Sequence, residues 1–360
     1  MNIHWISDIE EFKTVRDEWD EALECSGADN PFLLSDLIIS WWEVFGRNRK
    51  LSIFVLYNKG SIVGGFPLYI ERLSFKKGSL RRLQHIGNGY SNITEPFYLL
   101  DSNKFKKRFF TALKANPEWD LLYITRLRTD FIGFSKGDLR QFDKVRENGV
   151  RVIISSHDQN AKITISQNAE SYLMTCGKNL RNNVRKARKK AESIGKVVLV
   201  KIDDFEEINN LYDLHIEFSI NSHAVRNRRS AFDDQRHREV AKKIISSFAR
   251  RQYLDAHVLK FGDVISAVSF GYRFGDGLKW IFTSYNSQLS HTSPGHTLIY
   301  ELIDYAYRNG DPYFDMYYGG NVFYKRQWCN KFHPLYDVKI FNSTITGKLA
   351  HLVCQKLRHD

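Results

Sequence analysis

Cysteine is scarce in this 360-residue chain. Cys25, Cys176, Cys329 and Cys354 stand far apart, with no Cys-x-x-Cys pair and no histidine-rich segment beside them. That spacing argues against a disulfide framework and against a structural zinc site. Seven prolines and 22 glycines are too few for a collagen-like or low-complexity chain. No stretch approaches the ~18–20 consecutive apolar residues that span a bilayer. The acidic segment Met1–Trp19 lacks the basic start and apolar run of a signal peptide, so a cytoplasmic location is expected. Acids are also in deficit, 41 Asp+Glu against 53 Lys+Arg, for a formal net charge of +12. A surplus of that size calls for an anionic partner: nucleic acid, a membrane surface or phosphate-bearing small molecules.

What remains is rich in core-forming residues. The apolar fraction is 42% and aromatics reach 14%, which excludes wholesale disorder. At ~150 residues per domain the length suggests two. Periodicity alternates helices with hairpins. The first half reads as a helix over Phe32–Phe45, capped by Ser35 or Asn30, then strands Leu51–Tyr57 and Ile62–Ile70 around the turn Asn58-Lys59-Gly60. A basic helix Lys104–Ala115 and a strand Leu121–Leu127 follow. The second half repeats the plan: helices Ile208–Phe218 and Gln235–Arg250, strands Tyr253–Lys260, Val264–Tyr272 and Leu278–Tyr285, a helix Thr297–Arg308 and a strand Tyr313–Tyr317. Gly60 and Gly262 lie 202 residues apart, and Trp119-Asp120 and Phe314-Asp315 lie 195 apart. Two landmarks at nearly one offset point to a duplicated α/β unit.

Between the halves, Lys178–Lys190 holds seven basic residues and no acid. Leu180, Val184, Ala187, Ala191 and Ile194 recur at spacings of 4, 3, 4 and 3, one face of a helix that docks its apolar stripe and turns its cations outward. Gly195 stands where a C′ glycine would end it. The cations suit a solvated face, a nucleic-acid contact or a site for small-molecule phosphates; the residues alone leave all three open.

Phe32-Leu33-Leu34-Ser35 leading to Trp41-Trp42, Asn179-Leu180-Arg181-Asn182-Asn183-Val184-Arg185, Leu214-His215, Ser293-Pro294-Gly295, and Phe314-Asp315 ending in Tyr324-Lys325-Arg326-Gln327-Trp328 resemble the tandem GNAT-fold acyltransferases. Within them, the order is similar to the group related to cellulose-biosynthesis protein CelD and the Fem peptidoglycan aminoacyltransferases, over about Asn30–Trp328. The resemblance implies an α/β (α+β) fold of two GNAT-like domains in tandem, each a mixed, mostly antiparallel sheet flanked by helices. It places these at residues 1–160 and 161–345, with a tail helix over 346–360. It further implies an N-acyltransferase moving an acyl group from acyl-CoA to the amine of a nucleotide-linked, dTDP-type amino sugar for O-antigen or capsule synthesis, without metal. A Fem-like transferase using aminoacyl-tRNA and a non-catalytic nucleic-acid-binding module are the alternatives. Nucleic acid is the weaker partner, because no recognition helix or zinc finger is present.

The string Gln/Arg-x-x-Gly-x-Gly/Ala that binds the CoA pyrophosphate in most GNAT proteins is absent, and His291-Thr292-Ser293-Pro294-Gly295-His296-Thr297 stands instead. A strand-to-helix turn offers free N–H groups and a positive helix end, so Ser293, Gly295, His296 and Thr297 are candidates for the phosphates; an ordinary N-cap with Pro at N1 is the plainer alternative. Phosphate contacts from the substrates are assigned to Lys178, Arg181, Arg185 and Lys325, the last alternatively pairing Asp315. Acyl transfer to an amine needs a base, an oxyanion donor and an acid for the thiolate. His215 and Asp315 are the candidate bases, although Asp315 equally suits a salt bridge. Tyr285 is the candidate acid, with Tyr317 and Tyr324 as alternates, and a backbone N–H near Phe282–Tyr285 the oxyanion donor. Gly87-Asn88-Gly89-Tyr90 reads as a turn or as acceptor-cleft lining; Trp41, Trp42 and Trp328 read as core.

Overall fold

The turn Asn58-Lys59-Gly60 forms as the sequence dictates. Lys59 and Gly60 both take positive φ, 52° and 92°, the geometry that lets two residues close a hairpin. In the computed structural model, which describes residues 1–76, 78–91, 93–128 and 151–356, the chain forms two units: Met1–Asp158 with His333–Asp360, and Gln159–Phe332.

The first unit opens with β1 (Asn2–Ile6) and helices Ile9–Thr14, Arg16–Cys25 and Ser35–Phe45. The last of these is entered through a short 3-10 turn, Pro31–Leu33, in which the Asn30 side chain accepts from the Phe32 N–H. Pro67 cannot donate to a ladder, so the single strand expected over Ile62–Ile70 becomes two, β4 (Ser61–Phe66) and β5 (Leu68–Phe75). They follow β2 (Arg49–Leu51) and β3 (Ile53–Asn58). Then come β6 (Gly78–His85), β7 (Phe97–Tyr98), the helix Ser102–Ala115 and β8 (Leu121–Arg128). The order β1-β3-β4-β7 makes one sheet of this unit, with β8-β6-β5-β2 pairing separately. Aromatics fill the core: Phe54, Phe66, Phe105, Phe109 and Trp119 are fully buried. Gly64 and Gly65 of β4 make room for them, since a Cβ on Gly65 would sit 2.3 Å from the Trp19 ring.

The second unit takes β9 (Arg151–Thr164) from Gln159 onward, then helices Ala169–Thr175 and Lys178–Glu192, β10 (Val197–Ile202), and helices Phe205–Ala224 and Gln235–Arg250. Strands β11 (Leu254–Phe261), β12 (Val264–Tyr272) and β13 (Leu278–Tyr285) follow, then the helix Pro294–Arg308, β14 (Tyr313–Asp315) and the short helix Phe323–Trp328. The sheet order is β10-β11-β12-β13-β14-β9. All neighbours are antiparallel except β13 and β14. This is the mixed, mostly antiparallel sheet flanked by helices that the sequence implied.

Two expectations change. The second domain was expected to run to residue 345, but β15 (Lys331–Phe341) returns the chain to the first unit, pairing Leu335–Phe341 with β8. The Ile345–Lys356 helix continues there. The second concerns Gly195. The basic helix buries Leu180, Val184, Ala187 and Ala191 as its periodicity requires, but leaves Ile194 40% exposed and ends at Glu192. Gly195 is not its left-handed terminator. A Cβ there would lie 2.6 Å from the Gly262 backbone, so this glycine permits a close approach to the β11–β12 turn.

Candidate active site

On the Phe205–Ala224 helix and just beyond it, His215, Ser219, Ser222, His223 and Arg226 follow spacings of 4, 3, 1 and 3. That is a polar stripe on one helical face, and four of the five line a cavity of about 610 Å³ inside the second unit. The opposite wall is β13, with Trp280, Thr283, Ser284 and Tyr285. Gly295, His296 and Leu298 close one end from the Pro294–Arg308 helix, and Tyr324 contributes from the Phe323–Trp328 helix.

The β13 edge is open here. β13 and β14 pair only at Leu278↔Phe314 and Lys279↔Asp315. On its other side β13 stays paired with β12 to Tyr285, and the Asn286 N–H donates to the Ser266 carbonyl. Antiparallel ladders alternate the direction of their N–H groups, so the amides of Thr283 and Tyr285 point away from β12, along the edge that β14 has left. A carbonyl oxygen acquiring charge would find donors there.

Helix ends differ between the units. In the first, Asp101 caps the Ser102–Ala115 helix, its carboxylate accepting from the N–H groups of Asn103 and Lys104. At the Pro294–Arg308 helix the N-cap is Ser293, in the left-handed region at φ 56°, and its side chain caps nothing. A Cβ on Gly295 would meet no atom within 4 Å. The first helix supplies its own anion; the second leaves its positive end open beside the cavity.

Neighbours set the tautomers of two histidines. His223 Nδ1 lies 2.8 Å from the Ser219 carbonyl, which can only accept, so the neutral ring carries its proton on Nδ1 and keeps a lone pair on Nε2. His296 is the reverse: the Trp328 indole N–H donates to its Nδ1 at 3.2 Å, which puts the proton on Nε2. Burial lowers the His296 pKa and favours that neutral donor form. Arg226 donates to the Tyr285 hydroxyl at 2.6 Å, leaving the phenolic O–H free to donate in turn.

The structure distributes the sequence-based candidates unevenly. Tyr285, Ser293, Gly295 and His296 line the cavity together. Thr297 is fully buried behind them, with no partner for Oγ1 among the described residues. His215 stands behind the wall, its Nδ1 2.9 Å from Ser284 Oγ and its ring against Phe232, Phe270 and Phe282. Desolvation lowers its pKa to about 3, so it is neutral and weakly basic. Asp315 also lies outside the cavity: it pairs with Lys162 at 3.1 Å and accepts from Asn160 and the Tyr317 N–H.

The expected phosphate contacts are turned elsewhere. Arg181 donates to the carbonyls of Met174 and Cys176, finishing the preceding helix, and Arg185 lies 3.6 Å from Glu170. Lys178 is exposed at the far end of its helix from Lys190, whose ammonium reaches the His291 carbonyl at 2.8 Å. Lys325 is buried and donates to the carbonyls of Met316 and Tyr318, holding the turn at Tyr317. His223 and Arg226 were the residues missed. The stripe spacing from His215 was the available signal.

Residues 178–326 match the model of the acetyltransferase (GNAT) domain. The match covers every residue that lines the cavity. No curated protein sequence matches the chain. Among solved structures, FemX is similar over 98% of this chain and 100% of its own, at 10% identity and a TM-score of 0.62. A conserved protein of unknown function from Bacteroides thetaiotaomicron VPI-5482 covers 95% and 100% at 10% identity and 0.54. The C-terminal domain of a putative lysylphosphatidylglycerol synthetase from Agrobacterium fabrum covers 96% and 97% at 10% identity and 0.52. Identities this low establish the fold alone: a GNAT-type acyltransferase fold, Fem-like over the whole chain. The first domain, which the sequence expectation also made GNAT-like, lies outside the matched residues.

Proposed function

We propose that the GNAT domain transfers an acyl group from acyl-CoA to the amine of a nucleotide-linked amino sugar. The observation that carries this reading is the uncapped start of the Pro294–Arg308 helix, which meets the unpaired edge of β13 at one cavity. The helix end fits a pyrophosphate: Gly295 leaves space for it, and the His296 Nε2–H is a further donor. Trp280, Leu298 and Ile299 give the cavity an apolar lining suited to the pantetheine arm and the acyl chain. The amides of Thr283 and Tyr285 receive the thioester oxygen.

His223 Nε2 takes the proton from the amine as the amine nitrogen bonds to the thioester carbon. The carbon–sulfur bond then breaks, and the Tyr285 hydroxyl gives its proton to the departing thiolate; solvent afterwards restores both groups. Asp315 and His215 become positioning residues, Asp315 through Lys162 and His215 through Ser284. Support for an acceptor bearing phosphate moves from the basic helix to Arg226, Arg228 and Arg229, exposed in the loop after the Phe205–Ala224 helix. Arg226 itself lines the cavity. In this reading the acylated sugar serves a surface polysaccharide such as an O-antigen or capsule.

Incubation with acyl-CoA and a panel of nucleotide-linked amino sugars should release free thiol only when both are present. Silence across the panel, with activity on aminoacyl-tRNA that ribonuclease abolishes, would transfer the site to the Fem-like reaction. Gly295→Asp should weaken CoA binding by ~10–100-fold, the worth of ~1.5–3 kcal/mol of charge-assisted bonding. An acid in the first turn is otherwise favourable to a helix, so the melting temperature should not fall. Calorimetric titration with CoA showing unchanged affinity would remove the helix end from the site.

A further inference from the structure

The Ile345–Lys356 helix is amphipathic in the wrong direction for a helix in water. Its small residues and His351 face the protein. Gly347 is so close that a Cβ would lie 2.4 Å from the Asn342 carbonyl, Ala350 and Cys354 pack on the cluster of Leu80, Leu121, Ile153 and Phe341, and His351 stacks edge-on to Phe341. The large aliphatic residues face out: Ile345 is 79% exposed, Leu349 58%, Leu352 49% and Val353 58%. These positions, at i, i+4, i+7 and i+8, form one continuous stripe. Phe75, two residues beyond Leu73 of the same cluster and therefore on the same face of β5, is 61% exposed as well. Aligned apolar surface of this kind marks something that covers it.

Charge decides what covers it. From Val338 to His359 the sequence contains no acid, while the helix carries Lys348 and Lys356. Lys76 is exposed beside Phe75, and Arg151 is exposed with its guanidinium 3.1 Å from His351. Asp120, which accepts from the Thr344 hydroxyl just before the helix, is already bound to Arg81. A second copy of the chain would bring like charges face to face. An anionic surface would meet complementary ones. Among the described residues no helix is long and apolar enough to cross a bilayer, but a helix lying in the interface needs only one apolar face flanked by cations.

We infer that the outer face of the Ile345–Lys356 helix, with Phe75, docks the protein on an anionic lipid bilayer. The full chain should sediment with phosphatidylcholine vesicles that contain phosphatidylglycerol, and far less with phosphatidylcholine alone. Leu349→Ser with Val353→Ser should lower the partition by ~10-fold or more, because each side chain loses its burial in the interface. Lys348→Glu should lower it a few-fold, with the loss vanishing at high salt. All three positions are exposed, so unchanged circular dichroism should accompany these losses. Failure to sediment overturns the inference, as does equal sedimentation of the double variant. So does a dimer in light scattering that the double variant dissociates while vesicles bind neither protein.

Discussion

His223→Asn should lower kcat by ~10²–10⁴-fold, the range lost when a positioned proton acceptor is removed. Asparagine is the informative replacement because its amide N–H can still reach the Ser219 carbonyl that holds Nδ1 at 2.8 Å. The local hydrogen bond is kept and only the Nε2 lone pair disappears. The KM for acyl-CoA should stay within a few-fold of the parent, since Gly295 and His296 are untouched. His215→Asn provides the contrast. It removes the outer part of a ring packed against Phe232, Phe270 and Phe282 and leaves unpaired amide hydrogens among them, so it should depress thermal stability by ~1–3 kcal/mol. Steady-state rates and melting curves of both variants test the assignment together. If His215→Asn abolished turnover in a fully folded protein while His223→Asn left it intact, the roles would be exchanged.

The contrast shows how far the residues could be read before the fold was known. Local features were legible. The Asn58-Lys59-Gly60 hairpin, the apolar stripe of the basic helix and the Gln235–Arg250 helix each depend on neighbours within a few positions. The turn at Ser293-Pro294-Gly295 was legible for the same reason, and it does stand at the cavity. Long-range pairings were not. Nothing in sequence links Asp315 to Lys162, 153 positions earlier, or carries the chain back after Phe332 to pair with β8. Seven cations in one helix looked like a substrate site, yet Arg181 and Arg185 are engaged by the segment just before their own helix. Arg226, just past the end of the Phe205–Ala224 helix, lines the cavity, with Arg228 and Arg229 exposed next to it in sequence.

Acid should destabilise this protein through its buried histidines. Among the described residues the most deeply buried histidines, held neutral, are His85 in the first unit and His215 and His257 in the second. Burial lowers His85 and His215 to about 3, with the Arg126 charge helping at His85. His257 falls to about 4, where burial outweighs the neighbouring Asp255. The folded pKa lies below the unfolded 6.5 in every case, so the unfolded chain binds protons first as pH drops. The stability present above pH ~6.5 is therefore lost progressively toward pH ~3–4. At pH 5 each histidine costs ~2 kcal/mol, which is ~4 kcal/mol from the second unit and ~2 kcal/mol from the first. Glu301 and Asp311, raised by burial, gain a proton earlier and offset part of this. Against a domain stability of ~5–15 kcal/mol, that is a large fraction, so the melting temperature should fall steeply as the pH drops from about 6 to 4. His85→Leu sharpens the test. Neither ring nitrogen of His85 has a partner among the described residues, so leucine gives up no hydrogen bond and removes the proton site. The variant should gain ~2 kcal/mol more over the parent at pH 5 than at pH 7.5. A melting temperature that stays level from pH 7.5 to 5 in the parent would show that these rings are not held neutral by the fold.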